Sequence, residues 1–104
     1  TNLKLPYVND FSKHVYHLFT VRHKQKEKIV KLLKKKKIGT RVIYPYPIHT
    51  MIAYKKFKLK KNNFKKSLIA SKEIFSLPLY PELKVSEVLH ICNVLKKILK
   101  KIDQ

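Results

Sequence analysis

The residues best suited to bind a ligand lie in one segment, Gly39 to Tyr54, with the sequence GTRVIYPYPIHTMIAY. Pro45 and Pro47 each fix their own φ and move the residue before them out of the helical region, so this segment is predicted to be a rigid loop that follows a short strand. A rigid loop can hold a phenol and an imidazole toward a ligand, which makes Tyr44 and His49 candidate substrate-binding residues. The alternatives are a histidine that caps a turn and a tyrosine that covers the core with its hydroxyl in water.

No other residues have a spacing that suits metal binding or nucleophilic catalysis. His14 and His17 are an odd number of positions apart in a segment expected to be extended, so their side chains point to opposite faces. His90 and Cys92, on a predicted helix, are separated by about 200° around its axis. A single glycine cannot build a glycine-rich phosphate loop. We therefore predict no metal site and no catalytic residue in this chain, and we interpret His17 as a strand histidine satisfied by a backbone group.

The chain is strongly basic, with 25 lysines and arginines against 6 acidic residues. This balance raises an alternative function, a small basic module that binds nucleic acid or an anionic membrane. Only Arg22 and Arg41 are arginines, however, and phosphate or base recognition tends to use the guanidinium group. We therefore expect nucleic-acid binding only as a low-salt electrostatic association.

The length of 104 residues and the hydrophobic content of 44% indicate one domain with one modest core. The lone cysteine, Cys92, fits a reducing compartment. No apolar run approaches the roughly 18 residues of a membrane span, and the amino end has no signal-peptide pattern. These features predict a cytoplasmic protein without a transmembrane segment.

Hydrophobic periodicity predicts the elements that position the loop. β-branched and aromatic residues dominate the first strand, which we expect to be buried on both faces. Apolar residues recur every three or four positions in the last helix, and Gly39 is predicted to end the first helix in a left-handed conformation. The predicted strands are Val15 to Arg22, Arg41 to Ile43 and Phe75 to Tyr80; the predicted helical segments are Lys24 to Lys37, Met51 to Phe57, Phe64 to Ile74 and Val85 to Ile102; and Lys58 to Asn63 is predicted to be a mobile charged loop.

This order of elements predicts an α/β (α+β) fold, in which a small three-stranded, mainly antiparallel sheet carries helices on one face. Residues 1–14 show no periodicity and are interpreted as an incoming segment that lies on another surface. Because the first strand is expected to be apolar on both sides, we predict that the bare face of the sheet docks on a larger body or on a twin chain.

Several motifs, taken in order, resemble the carboxyl-terminal part of the sugar-nucleotide aminotransferases of the DegT/DnrJ type, which are pyridoxal-phosphate (PLP) enzymes of fold type I. The resemblance covers nearly the whole chain, and its two most specific motifs are YPYPIH and SLPLYPEL. The motifs are LPYV at 5–8, VYHLFTVR at 15–22, IGTRVIYPYPIH at 38–49, AYKKF at 53–57 and SLPLYPEL at 76–83. The resemblance implies that residues 1–104 form the single carboxyl-terminal small domain of such an enzyme, with residues 1–14 arriving from a large domain.

The resemblance further implies the transfer of an amino group, usually from glutamate, to a keto sugar attached to a nucleotide diphosphate. It implies a homodimer, with PLP bound mainly by the large domain that carries the Schiff-base lysine, so this chain would be inactive alone. Tyr44 and His49 would then lie near the sugar or its phosphates. The chain departs from the family pattern at Ile43, Lys65 and Leu68, which leaves the identity of the sugar open.

Overall fold

The computed structural model describes residues 1–60 and 63–104. Its helices are α1 (Lys26–Lys35), α2 (Lys65–Glu73) and α3 (Val85–Ile102), its strands are β1 (Phe19–Arg22) and β2 (Ile74–Leu77), and two 3₁₀ helices cover Ile48–Thr50 and Ile52–Phe57. Every predicted helical segment is therefore present, and α3 has the predicted bounds. None of the helices in these residues is long and apolar enough to cross a membrane. Within the predicted loop Lys58 to Asn63, residues 61 and 62 lie outside the described residues.

The sheet of the described residues has two strands rather than the predicted three. β1 pairs antiparallel with β2. The predicted strand Arg41 to Ile43 contributes one bridge, in which Arg41 and Ser76 exchange two backbone hydrogen bonds of 3.1 and 2.7 Å. Pro78 has no amide hydrogen, so the pairing between the Arg41 segment and β2 cannot continue past Leu77 in one direction. In the other direction the chain bends at Ile43, which ends the pairing.

The first strand is also shorter than predicted, because residues 15–18 do not join the sheet. Tyr16 has a positive φ of 48°, which an extended strand cannot accommodate. His17 is consequently exposed in a bend before β1 and is not a strand histidine, so that interpretation is wrong. The expectation of two apolar faces is wrong as well: the face opposite Val21 carries Thr20 and its partner Ser76, whose hydroxyl oxygens are 2.8 Å apart.

The core lies between one face of the sheet and the two helices α1 and α3. Val21 and Phe75, which are directly opposite each other in the sheet, are fully buried against apolar side chains of both helices. The helical contribution consists of Ile29 and Leu33 from α1 and of Leu95, Ile98, Leu99 and Ile102 from α3. Burial of this size is the main stabilising contribution to a small fold.

At the end of α1, the left-handed residue is not the one that was predicted. Lys37 has a φ of 60°, whereas Gly39 does not have a positive φ. The amide of Lys37 donates to the Lys34 carbonyl and the amide of Ile38 donates to the Leu33 carbonyl, both at 3.0 Å, which is the Schellman arrangement. Burial of Ile38 beside Leu33 sets this register, so the left-handed residue lies two positions before the glycine.

Candidate functional site: an exposed arm and a terminal clamp

The predicted loop is an arm, residues 43–60, that leaves the body at an anchored point. The backbone of Arg41 is fixed to β2 at Ser76, and Val42 packs against the core. After Val42 the side chains are mostly exposed. Pro47 is extended, with φ −61° and ψ 142°, as its ring requires. The arm is therefore a projecting segment with a fixed base.

Tyr44 lies near the start of the arm, with 72% of its surface exposed. It therefore does not cover the core, which was the alternative interpretation of this tyrosine. Its ring and hydroxyl face solvent, where they can contact a ligand or another polypeptide.

His49 is positioned by a different set of contacts. It lies in the first 3₁₀ helix, where the amide and the hydroxyl of Thr50 both donate to the Pro47 carbonyl at 2.9 and 2.8 Å. The imidazole is half-buried and packs against the Phe64 ring, with centroids 5.0 Å apart. Phe64 was not predicted to have a role, because it lies beyond a charged stretch and no local pattern connects it to the arm. The structure thus places both candidates on one arm, Tyr44 open to solvent and His49 held on Phe64.

The arm carries only positive charge. Residues 43–60 contain no aspartate or glutamate, and Lys55, Lys56, Lys58 and Lys60 are exposed. The Lys56 ammonium lies 5.3 Å from the centroid of the Phe57 ring, within range of a cation–π contact. A segment with this charge attracts anionic ligands such as phosphate esters.

A groove of about 940 Å³ opens beside the base of the arm. Apolar side chains including Ile38, Leu77 and Ile91 line its floor, and Lys37 and Arg41 are among the cations on its wall. Its size is that of a small-molecule pocket, although it continues the core rather than enclosing Tyr44 or His49.

A second polar cluster, which we call the terminal clamp, consists of Asn2, Arg22, His23, Glu73 and Asp103. The Gln25 amide donates to His23 Nδ1 at 2.9 Å, so Nε2 is the nitrogen that donates to Asp103 Oδ1, at 3.0 Å. The Asn2 amide donates to Asp103 Oδ2 at 3.0 Å, and Arg22 pairs with Glu73. The clamp therefore joins both chain ends to the sheet.

Both carboxylates of the clamp are more acidic than usual. The hydrogen bond from the Arg22 side chain holds the pKa of Glu73 below its ordinary value of 4.5. The hydrogen bond from the Asn2 backbone, with a further one from His23, holds the pKa of Asp103 below its ordinary value of 3.8. Among residues 1–60 and 63–104, no three histidine, cysteine or acidic side chains converge on a metal position.

Comparison with known proteins identifies the family. Residues 2–96 match the model of the DegT/DnrJ/EryC1/StrS aminotransferase family. The chain belongs to this family. It is 35% identical over 82 residues to a dTDP-3-amino-3,4,6-trideoxy-alpha-D-glucose transaminase of Micromonospora megalomicea, covering 78% of this chain and 22% of that protein. It is 33% identical over 95 residues to a dTDP-3-amino-3,6-dideoxy-alpha-D-galactopyranose transaminase of Aneurinibacillus thermoaerophilus, covering 91% and 26%.

Solved structures of the aminotransferase family share this fold. The crystal structure of S. venezuelae DesV in complex with a ketimine intermediate matches with a TM-score of 0.88 at 25% identity, covering 93% of this chain and 26% of DesV. The PLP form of the sugar aminotransferase Spr1654 of Streptococcus pneumoniae matches with a TM-score of 0.83 at 22% identity, covering 98% and 27%. The chain thus spans about a quarter of the length of the relatives it matches.

The described residues do not themselves form a PLP site. A lysine that forms a Schiff base with PLP is activated by desolvation or by neighbouring charge. Every lysine in residues 1–60 and 63–104 is exposed except Lys26, which is half-buried and donates from Nζ to the Ser71 carbonyl at 3.0 Å. No lysine of the described chain is therefore placed to hold the cofactor within an enclosed pocket.

Proposed function

We propose that this chain is the substrate-covering small domain, residues 1–104, of a PLP-dependent sugar-nucleotide aminotransferase. The complete enzyme transfers an amino group, from glutamate, to a keto sugar attached to a nucleotide diphosphate. PLP supplies the electron sink for this chemistry and is bound mainly by the large domain. Residues 1–14 arrive from that domain, and the enzyme acts as a cytoplasmic homodimer. The chain alone is inactive.

The single observation that carries the proposal is the family match over residues 2–96, with named transaminases among the relatives. The geometry of the arm supports the role of this part of the enzyme. Tyr44 is presented to solvent beside a fixed base, and the arm is uniformly cationic, which suits the two phosphates of a nucleotide sugar. We assign Tyr44 to a hydrogen bond with the sugar or its phosphates. His49, held on Phe64, is assigned to the same ligand.

The alternative, a small basic module for nucleic acid or anionic membranes, gains no support from the family match. The exposed lysines are also spread over the arm, α1, α2 and α3, and neither Arg22 nor Arg41 lies in any of these segments. This distribution is typical of a solvated surface, so association with nucleic acid is expected to disappear near physiological salt.

The test is reconstitution with the large domain, encoded upstream in the same reading frame or as a separate chain. The mixture is expected to show the visible absorption of enzyme-bound PLP and glutamate-dependent amination of a nucleotide-linked keto sugar, and this chain alone is expected to show neither. A large domain that is fully active without this chain, or a mixture that stays inactive when both parts are folded, would contradict the proposal.

Substitutions in the arm then test the assigned residues in the reconstituted enzyme. Tyr44→Phe and His49→Ala are each expected to lower kcat/KM about ten- to hundredfold, because each removes a hydrogen bond to a charged or polar substrate group. Tyr46→Phe is the matched control, since Tyr46 is an exposed tyrosine on the same arm. Equal effects of the Tyr44 and Tyr46 variants would remove Tyr44 from the site.

A further inference from the structure

The segment before β1 contains a bulky residue in a backbone conformation that is unusual for it. Tyr16 has a φ of 48°, in the left-handed region, which non-glycine residues seldom adopt. The conformation is held by a hydrogen bond of 2.8 Å from the Tyr16 amide to His14 Nδ1. Strained positions of this kind persist where the surrounding structure enforces them, and they cluster at functional sites.

The turn that this conformation creates stacks three rings. The His14 and Tyr16 rings have centroids 4.2 Å apart and an interplanar angle of 23°. The Tyr16 and Phe19 rings continue the stack, with centroids 5.8 Å apart and the same angle of 23°. Phe19 belongs to β1, pairs with Leu77 and packs against the core. The stack therefore runs from the core, through Tyr16, to an exposed imidazole.

The outer part of this stack is open. Tyr16 is 39% exposed, although it packs on Phe19, and His14 is exposed. A chain that only needed to turn before β1 could do so with glycine or asparagine at position 16, without placing two aromatic rings in water. The ring planes are nearly parallel, and their rigid base at Phe19 means that little conformational freedom would be lost when a further flat ring is added.

We propose that the His14–Tyr16 stack binds the nucleobase of the substrate by continuing the stack with one more ring. This inference rests on the proposed function, because it assigns the base of the nucleotide-linked sugar to a surface distinct from the arm. Stacking tolerates any base, since every base offers a π face. The imidazole of His14 contributes a ring face, with its Nδ1 already accepting from the Tyr16 amide.

Nucleotide binding by the chain, and by the chain reconstituted with its large domain, tests the proposal. The probe is uridine monophosphate, and ribose 5-phosphate is the control that keeps the phosphate and lacks the base. Dissociation constants are measured by titration calorimetry, and the proton resonances of the His14 ring are followed by NMR. Uridine monophosphate is expected to move these resonances upfield through its ring current and to bind more tightly than ribose 5-phosphate.

Three substitutions separate stacking from charge. His14→Ala and Tyr16→Asn are expected to weaken uridine monophosphate binding about ten- to hundredfold, which is the range for loss of a base stack. Asparagine tolerates the left-handed conformation, so Tyr16→Asn removes the ring while keeping the turn. His14→Phe keeps a ring face and is expected to stay within about threefold of the wild type. Tyr7→Ala, an exposed tyrosine of the same segment, is the matched control.

Each outcome is decisive for the stack. Unchanged binding in His14→Ala and Tyr16→Asn, equal binding of the two probes, or no binding in either preparation overturns the proposal. Equal weakening in Tyr7→Ala also overturns it, because the effect would then belong to the segment as a whole. The proposed function is judged separately, by amination in the reconstituted enzyme. If that enzyme is active and its His14→Ala and Tyr16→Asn variants keep the wild-type affinity for uridine monophosphate, the proposed stack is wrong and the proposed function stands.

Discussion

The arm and the terminal clamp use polar residues in opposite ways. In the clamp, Arg22 and His23 are paired with Glu73 and Asp103, and His23 is only 3% exposed. In the arm, Tyr44 faces solvent and no carboxylate is present to neutralise the lysines. The clamp therefore contributes to the stability of the body, while the charge and the Tyr44 hydroxyl of the arm stay open to solvent.

The distribution of acidic residues explains this difference. The chain has only six aspartates and glutamates, and two of them are in the clamp, where they tie distant parts of the chain together. A carboxylate in the arm would partly neutralise its lysines. The comparison predicts that substitutions in the body lower stability much more than substitutions in the arm.

Phe75→Ala should have the largest effect on stability. Phe75 is fully buried, and its truncation is expected to lower the free energy of unfolding by about 3–5 kcal/mol, through lost burial and the cavity left behind. The matched change in the arm is Phe57→Ala, at a ring that is 59% exposed, which should stay within about 0.5 kcal/mol of the wild type. Urea denaturation followed by circular dichroism measures both. Similar losses would show that the arm belongs to the folded core.

His23→Ala should have the next largest effect. The substitution removes a buried ring with hydrogen bonds to the Gln25 amide and to Asp103, and we expect a loss of about 1–3 kcal/mol. His17→Ala, at an exposed histidine six residues earlier, is the control and should be nearly neutral. The comparison would fail if the two histidine variants unfolded at the same urea concentration.

The clamp also shows where prediction from the sequence had to fail. His23 is hydrogen-bonded to Asp103, which is 80 positions away in the sequence, and Asn2 is hydrogen-bonded to Asp103, which is 101 positions away. No local sequence pattern connects residues so far apart. The helix α3 was predicted with its observed bounds because its apolar period is long and regular. Local rules also predicted the fixed φ of Pro47, which is −61°. The candidate residues Tyr44 and His49 came from the same rules, but the packing of His49 on Phe64 did not.

Two errors in the predicted sheet have particular causes. The alternation from Val15 to Arg22 is typical of a strand, yet the left-handed Tyr16 interrupts it, and that conformation depends on a side chain, His14, that a periodicity argument does not consider. The third strand was reduced to one bridge at Arg41, because pairing depends on the edge that β2 offers and not on the sequence of residues 41–43 alone.

Asp103→Asn should make stability less dependent on pH in acid. Asp103 has a lowered pKa in the folded state, so below its ordinary value of 3.8 the unfolded chain binds the proton more readily. Its contribution to stability is therefore complete above about pH 5 and is lost as the pH falls through the folded-state pKa. Removing the carboxylate should flatten the rise of unfolding free energy with pH in that window.

The measurement is urea denaturation between about pH 2 and pH 6. Glu73→Gln should flatten the profile in the same sense, because the pKa of Glu73 is lowered by Arg22, and the double variant should be the flattest. At neutral pH the effect of Asp103→Asn should be smaller than that of His23→Ala, because asparagine keeps an oxygen that can accept from His23 Nε2. A double variant with the wild-type profile would mean that the clamp carboxylates are not the source of acid sensitivity.

Pro47→Ala should have the smallest effect on stability and still be informative about the arm. Alanine can adopt the φ of −61° and ψ of 142° found at position 47 and keeps the carbonyl that accepts from Thr50. The main effect is therefore that the unfolded chain gains freedom, which costs about 0.4–1 kcal/mol. In the reconstituted enzyme the same change should raise KM more than it lowers kcat, because a looser arm must be ordered when substrate binds. Pro78→Ala, outside the arm, is the control for general loosening. If Pro47→Ala were as destabilising as Phe75→Ala, the arm would be part of the folded body. The arm and the clamp would then no longer differ in their contribution to stability.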